Sequence, residues 1–318
     1  MKNVALMAIP ALAAFVTSVI AGKIIVPALA KAKMRQYERE EGPESHKKKQ
    51  GTPTMGGVIF LLATLIVSLF YIGKYPEMIP VMIGMFGFGL IGLIDDSMKM
   101  LKKQNEGMTP SQKMLGQIVV AVAVVLYLQL VMKTGTEIHI PFVNGTYNVG
   151  IFYYVIAAIM ILGTVNGSNL TDGLDGLSAN VTFYIAIFFS VASLLYKAGI
   201  TPIAAALAGA LLGFLMFNTH PAKVFMGDTG SLALGGFVAS SALVIKNPLI
   251  IIIVAFVYLM ETLSVMIQVA SFKTTGKRVF RMSPIHHHFE LGGWPETEVT
   301  SKFAIISALA CLLGLLAL

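Results

Sequence analysis

Residues 78–99 read MIPVMIGMFGFGLIGLIDDSMK, an apolar run that closes on two adjacent aspartates and a lysine. The run is wide enough to cross hydrocarbon about 30 Å thick. A carboxylate costs several kcal/mol inside hydrocarbon and almost nothing in water, so the chain leaves the membrane at Asp95 and Asp96, and two acids at that border need a chemical reason.

The rest of the chain has the same character. Of its 318 residues 56% are hydrophobic and 12% charged, with a mean hydropathy of +0.79, against about 25% charged residues in a soluble domain. This excludes a soluble globular enzyme and specifies an all-α polytopic membrane protein, read as one integral membrane domain over residues 1–318. Apolar windows recur at 3–25, 56–73, 78–95, 112–132, 150–167, 177–196, 201–217, 231–246, 248–271 and 301–317, which predicts about ten transmembrane helices. The first window continues to Lys31 and Lys33 without a small-residue cleavage pattern, so it reads as a retained helix rather than a signal peptide. Cys311, the single cysteine, lies inside the last window and excludes a disulfide framework.

Lysine and arginine resist translocation, and their distribution sets the orientation. If loop 31–54 is cytoplasmic, alternation puts 96–111, 168–176, 218–230 and 272–300 on the same side. Those loops and their helix ends carry 17 of the 23 Lys and Arg. Both termini are then outside. The outer segment 133–149 alternates apolar and polar residues around Asn144-Gly145, which predicts a small extracytoplasmic β-hairpin with a type I′ turn there.

All five aspartates, Asp95, Asp96, Asp172, Asp175 and Asp228, fall at the membrane edge of that basic face, in three segments far apart in sequence. Each alone could cap a helix or pair with a lysine. Together they suggest a site. In the first segment Lys99 lies three and four residues beyond the two acids and can reach either along a helix. Paired carboxylates with a cation suit phosphate chemistry, in which a divalent metal and Lys neutralise oxygens while a free carboxylate handles a proton. In VNGSNLTDGLDGLS, 165–178, Asn166, Asn169 and Asp172 stand at steps of three on one helix face, and Gly173 and Gly176 let the backbone turn around a ligand. In FNTHPAKVFMGDTGS, 217–231, Asp228 precedes an apolar helix, where Asp228, Thr229 or Ser231 could also serve as its N-cap. HKKKQGTPTMGG, 46–57, sets Lys49 and Thr54 beside a glycine turn. PIHHHFELGGWPE, 284–296, holds His286, His287 and His288, which as consecutive residues cannot all face one metal and better suit hydrogen bonding to a phosphate or sugar. Glu261 is the one carboxyl deep inside a predicted span, and a hydrogen bond within the bundle is its simplest role.

TPTMGG, DDxxK, NLTDGLDGL, FMGDTGS and PIHHHFE, in this order on about ten helices, resemble the polyprenyl-phosphate N-acetylhexosamine-1-phosphate transferases nearly end to end. TPTMGG and the triple histidine are similar to the phospho-N-acetylmuramoyl-pentapeptide-transferase branch rather than to relatives that transfer GlcNAc-phosphate. The resemblance implies a multi-pass enzyme of the bacterial inner membrane with its site facing the cytoplasm. It would transfer phospho-MurNAc-pentapeptide from UDP-MurNAc-pentapeptide to undecaprenyl phosphate with Mg2+, giving lipid I and UMP for peptidoglycan synthesis. It also implies a homodimer, and no nucleic-acid partner. By position, Asp228 would be the Mg2+ ligand, Asp95 the base and Asp96 a second catalytic or metal-organising acid. Lys99, Lys113 and Lys49 would hold phosphates, and Asn166, Asn169, Asp172 and Thr54 would position the donor. Gly173, Leu174, Asp175, Asn218 and Phe225 would line the uridine pocket, with the histidines at the sugar-phosphate end. A GlcNAc-phosphate transferase acting on UDP-GlcNAc remains an alternative. So does an ion-coupled transporter, which would however place its acids near the midplane, commonly in repeated halves.

Overall fold

The computed structural model describes residues 2–32, 51–102 and 106–318. Helices stand on all ten predicted apolar windows. They are α1 (Lys2–Lys31), α2 (Gly57–Leu69), α3 (Met78–Lys102), α4 (Pro110–Leu126, continued by a π turn Tyr127–Val131), α5 (Phe152–Thr171), α6 (Leu177–Leu195), α7 (Thr201–Asn218), α8 (Gly227–Val244), α9 (Phe256–Thr275) and α11 (Glu296–Leu316), with a short α10 (Ile285–Glu290) between the last two.

Among the described residues, α1, α3, α4, α5, α6, α7 and α11 are each long and apolar enough to cross a membrane, and the segment Pro248–Val254 with α9, bent by 84°, makes an eighth candidate. The other two windows differ for physical reasons. α2 has 13 residues, short of the roughly 17–25 that a spanning helix needs. α8 opens on Gly227, Asp228 and Thr229 and carries Ser240 and Ser241, yet nearly every residue of it is buried against other helices, so it need not be apolar enough to meet lipid. α7 is buried almost all round, and its Ala and Gly residues let neighbours approach closely. α1 instead exposes Val4, Ile9, Leu12, Val16, Ile20 and Ile24, a surface suited to hydrocarbon.

The hairpin forms, but not around its expected turn. β1 (Glu137–Ile140) pairs antiparallel with β2 (Val143–Asn148), and the chain reverses at Pro141 and Phe142. Asn144-Gly145 instead lies within β2, where the register shifts between His139 and Ile140. Tertiary anchoring overrides the local turn preference: Phe142 N donates to Ala317 O at 3.2 Å and His139 N to Lys246 O at 2.7 Å. The hairpin is thereby tied to the chain just beyond the C-terminal ends of α8 and α11, at the opposite end of α8 from Asp228.

Candidate active site

The site begins where the last turns of α3 meet the first turn of α8. A helix N-terminus leaves backbone N–H groups without intrahelical partners, and Met226, at the cap position of α8, supplies no side-chain bond. The cap comes from α3. Asp96, which is buried, accepts from Asp228 N (3.2 Å) at Oδ1, and from Thr229 N (2.9 Å) and Thr229 Oγ1 (2.7 Å) at Oδ2. Its charge also complements the positive end of the helix dipole. Neither Asp228, Thr229 nor Ser231 provides the cap. The contact is possible because residue 92 is glycine: a Cβ there would lie 2.0 Å from Asp228 O.

Held on that turn, Asp228 directs its carboxylate at three other groups. Lys99 Nζ lies 2.7 Å and Lys113 Nζ 2.9 Å from Oδ2, while Asn169 Nδ2 donates to Oδ1 at 2.7 Å and to Ser231 Oγ at 2.8 Å. Lys99 is shared, 2.6 Å from Asp95 Oδ2 and 3.7 Å from Asp96 Oδ1, as the three- and four-residue spacing predicts. Asp95 is buried, and its Oδ1 accepts from Met108 N at 2.8 Å. Lys113 is delivered by α4, whose start is set by a capping box between Thr109 and Gln112 and by Pro110 in the first turn.

Oxygens of Asp95, Asp96 and Asp228 lie within 4.8 Å of one another. Three carboxylates against two ammonium groups leave a net negative charge when all are ionised, and an all-oxygen donor set of this kind suits a hard divalent cation completed by phosphate oxygens. The residues could therefore hold a metal ion. Asp96 has both oxygens engaged by α8, whereas Asp228 and Asp95 are held by lysines that a phosphate could draw away.

One turn deeper on α5, Asn166 pairs with the buried Gln117, donating to Oε1 at 2.9 Å. Asp172 follows the last turn of α5, its N–H donating to Asn169 O at 3.3 Å. Thr54 is buried, and its Oγ1 and Asp96 Oδ2 lie 2.9 and 2.6 Å from where a Cβ on Gly227 would stand. Backbone bonds from Phe225 N to Pro53 O and from Gly56 N to Phe225 O, both 2.8 Å, brace TPTMGG against FMGD. Lys49 lies outside the described residues.

Asp175 belongs to a second cluster. It is buried, accepts at Oδ2 from Ala222 N (3.0 Å), and shares that oxygen with His220 Nδ1 (3.0 Å). Its own N–H donates to Glu296 Oε1 at 2.6 Å, and Glu296 Oε2 lies 3.4 Å from His220 Nδ1. Leu174 is buried beside it. Asn218 is buried and donates to Val224 O at 2.9 Å, which shapes the turn before the half-buried Phe225. Asp175, His220 and Glu296 are thus a linchpin joining loops 168–176 and 218–230 to the start of α11, and could also hold a metal.

The histidines diverge, as consecutive residues must. His286 is buried with Nδ1 3.1 Å from Glu261 Oε1; His287 Nδ1 lies 2.8 Å from Glu290 Oε2; His288 Nδ1 accepts from Arg281 N at 3.1 Å. Glu261, expected to make a hydrogen bond inside the bundle, does so. The structure brings together the described parts of all five predicted loops. Gln117, His220 and Glu296 are site-building residues that the sequence did not single out, and Thr229, expected only as a possible N-cap, instead donates to Asp96. His220 and Glu296 stand inside the quoted motifs, whereas Gln117, in an apolar helix, carries no sequence signal.

Known proteins similar to this chain fall in one family. Glycosyl transferase family 4 matches residues 78–246, and signature 1 of phospho-N-acetylmuramoyl-pentapeptide-transferase matches residues 49–61. Proteins bearing that same name are similar over nearly the whole chain. The Clostridium novyi (strain NT) protein is 49% identical over 98% of this chain and 97% of its own. That of Clostridium perfringens (strain SM101 / Type A) is 48% identical over 94% and 93%, and that of Heliobacterium modesticaldum 47% identical over 93% and 92%. The chain belongs to the phospho-N-acetylmuramoyl-pentapeptide-transferase family of multi-pass bacterial membrane proteins.

Proposed function

We propose that this chain transfers phospho-MurNAc-pentapeptide from UDP-MurNAc-pentapeptide to undecaprenyl phosphate, releasing UMP and leaving lipid I in the cytoplasmic leaflet. The observation that supports it most is the cluster of Asp228, Asp95, Lys99, Lys113 and Asn169 where the ends of four helices, α3, α4, α5 and α8, meet. An acceptor whose tail stays in lipid and a soluble anionic donor can meet only at such a border.

In this reading an acceptor phosphate oxygen attacks the phosphorus bonded to the sugar, and the bond from that phosphorus to the UMP oxygen breaks. Asp95 accepts the proton of the acceptor phosphate. Lys99 and Lys113 turn from Asp228 to phosphate oxygens. Asn169 orients the Asp228 carboxylate, and Asp96 keeps the first turn of α8 in place. Mg2+ held by Asp228, with Asp95 near it, would neutralise the pyrophosphate oxygens. The 172–176 loop with Asn218 and Phe225 takes the uridine, Phe225 offering a face on which uracil can stack. Thr54, Lys49, Asn166 and Asp172 line the approach, and His287 and His288 flank the sugar-phosphate end. The excess of Lys and Arg in these loops supports a cytoplasmic position for this face, on the side where UDP-sugars are made.

The test compares donors. With purified protein, undecaprenyl phosphate and Mg2+, UMP should appear from UDP-MurNAc-pentapeptide and not from UDP-GlcNAc. The opposite preference would assign the chain the GlcNAc-phosphate reaction.

A further inference from the structure

Glu261 and His286 form a closed pair apart from the Asp228 cluster. Glu261 projects from α9 and is fully buried, and His286 in α10 is equally so. The carboxylate receives two groups of the same residue: His286 Nδ1 at 3.1 Å on Oε1, and the His286 backbone N–H at 3.5 Å toward Oε2. A carboxylate oxygen facing Nδ1 is matched by a proton on that nitrogen, and in the Nδ1–H tautomer the ring keeps its lone pair on Nε2. That Nε2 is buried and has no hydrogen-bond partner among the described residues. It points at the 172–176 loop: a Cβ on Gly173 would lie 2.1 Å from it, so the ring edge occupies the place of the missing side chain.

A buried acceptor without a partner is costly, and native interiors rarely keep one unless a ligand or water completes it. We propose that Glu261 is a positioning residue that fixes the His286 tautomer so that Nε2 accepts a hydrogen bond from an O–H or N–H group of the bound donor substrate. This rests on the donor assignment made above for the loop at Gly173. Glu261 touches no substrate itself; it acts through the ring.

The experiment is a double-mutant cycle on the full-length protein in detergent, read as affinity for UDP-MurNAc-pentapeptide by calorimetry, with UMP as a second ligand. Asparagine can reach Glu261 in place of Nδ1 but has nothing at the Nε2 position. His286→Asn should therefore keep the brace yet weaken donor binding roughly 10- to 100-fold, the range for losing one buried hydrogen bond. Glu261→Gln, which can turn its NH2 to the ring and move the proton to Nε2, should weaken binding less, and in the His286→Asn background should add nothing. If UMP loses affinity by the same factor, the partner lies on the nucleotide. If only the full donor does, it lies on the sugar or peptide.

A purely structural brace would behave otherwise. His286→Asn would then bind donor like the wild type, or the Glu261→Gln loss would persist unchanged in the His286→Asn background, and either result overturns the proposal. Reaction of buried Cys311 with a thiol-specific fluorophore on heating reports whether each variant is folded. Should a variant prove unfolded, His286→Gln, which restores a polar group near Nε2, recovers donor affinity if the proposal holds and fails to do so if it does not. Wild type that binds no donor at all would refute the function assigned above, a result distinct from wild type and variants binding equally.

Discussion

Asp96→Asn separates holding the site together from doing its chemistry. Asp96 accepts two backbone N–H groups and one hydroxyl from the first turn of α8. Hydrogen bonds to a charged acceptor contribute about 1.5–3 kcal/mol each, against about 0.5–1.5 for neutral ones, so the one backbone bond that survives on the amide oxygen weakens by about 1 kcal/mol. The new NH2 faces the other donor, either Asp228 N or Thr229 N, leaving that group unsatisfied at about 1–3 kcal/mol. Removing a buried charge recovers part of its desolvation cost, and the net loss is about 1–3 kcal/mol. At about 2–4 °C per kcal/mol the unfolding midpoint should fall by roughly 2–12 °C. Cys311 supplies the assay, since a single buried thiol becomes reactive only on unfolding. Turnover should fall as well, because Asp228 rides on the same turn. A variant that unfolds at the wild-type temperature would refute the capping role, whatever its activity.

Three further outcomes follow from the same geometry. Asp95→Asn should cut the maximal rate by roughly 10²–10⁴-fold, the range for losing a general base, with donor affinity nearly unchanged; a matching loss of donor affinity would move the base role to Asp96. Gly92→Ala should cost about 1–3 kcal/mol by overpacking and lower activity with it, because its Cβ would lie 2.0 Å from Asp228 O; wild-type stability and rate would contradict that contact. In intact cells an impermeant thiol reagent should label Asn144→Cys and spare Gly293→Cys; the reverse pattern would put the site on the wrong side of the membrane.

Much of this was legible in the sequence because hydrocarbon is a demanding solvent. The apolar windows located every long helix, and acids at their borders marked the site, since a carboxylate persists there only with partners. Lys99 was readable from helical spacing alone. What escaped depends on contacts between distant segments. Nothing local in GDTGS says that the cap of α8 arrives from Asp96, 132 residues earlier. Asn144-Gly145 looks like a turn until bonds from Phe142 and His139 to other parts of the chain shift the reversal. The span count differs because α2 is short and because α8, packed among other helices, is less apolar than a helix that faces lipid. Asp175 was expected only at the uridine pocket, and nothing local shows that His220, Ala222 and Glu296 engage it in a separate cluster.

The central claim is that Asp228 is the acid around which both phosphates are handled, and transfer of labelled phospho-MurNAc-pentapeptide to undecaprenyl phosphate by Asp228→Asn tests it most directly. The variant should fold and insert, bind donor measurably, and give no lipid product at any Mg2+ concentration, while the wild type depends on added Mg2+. Activity of Asp228→Asn within tenfold of the wild type, or full wild-type turnover in chelator, would contradict the account.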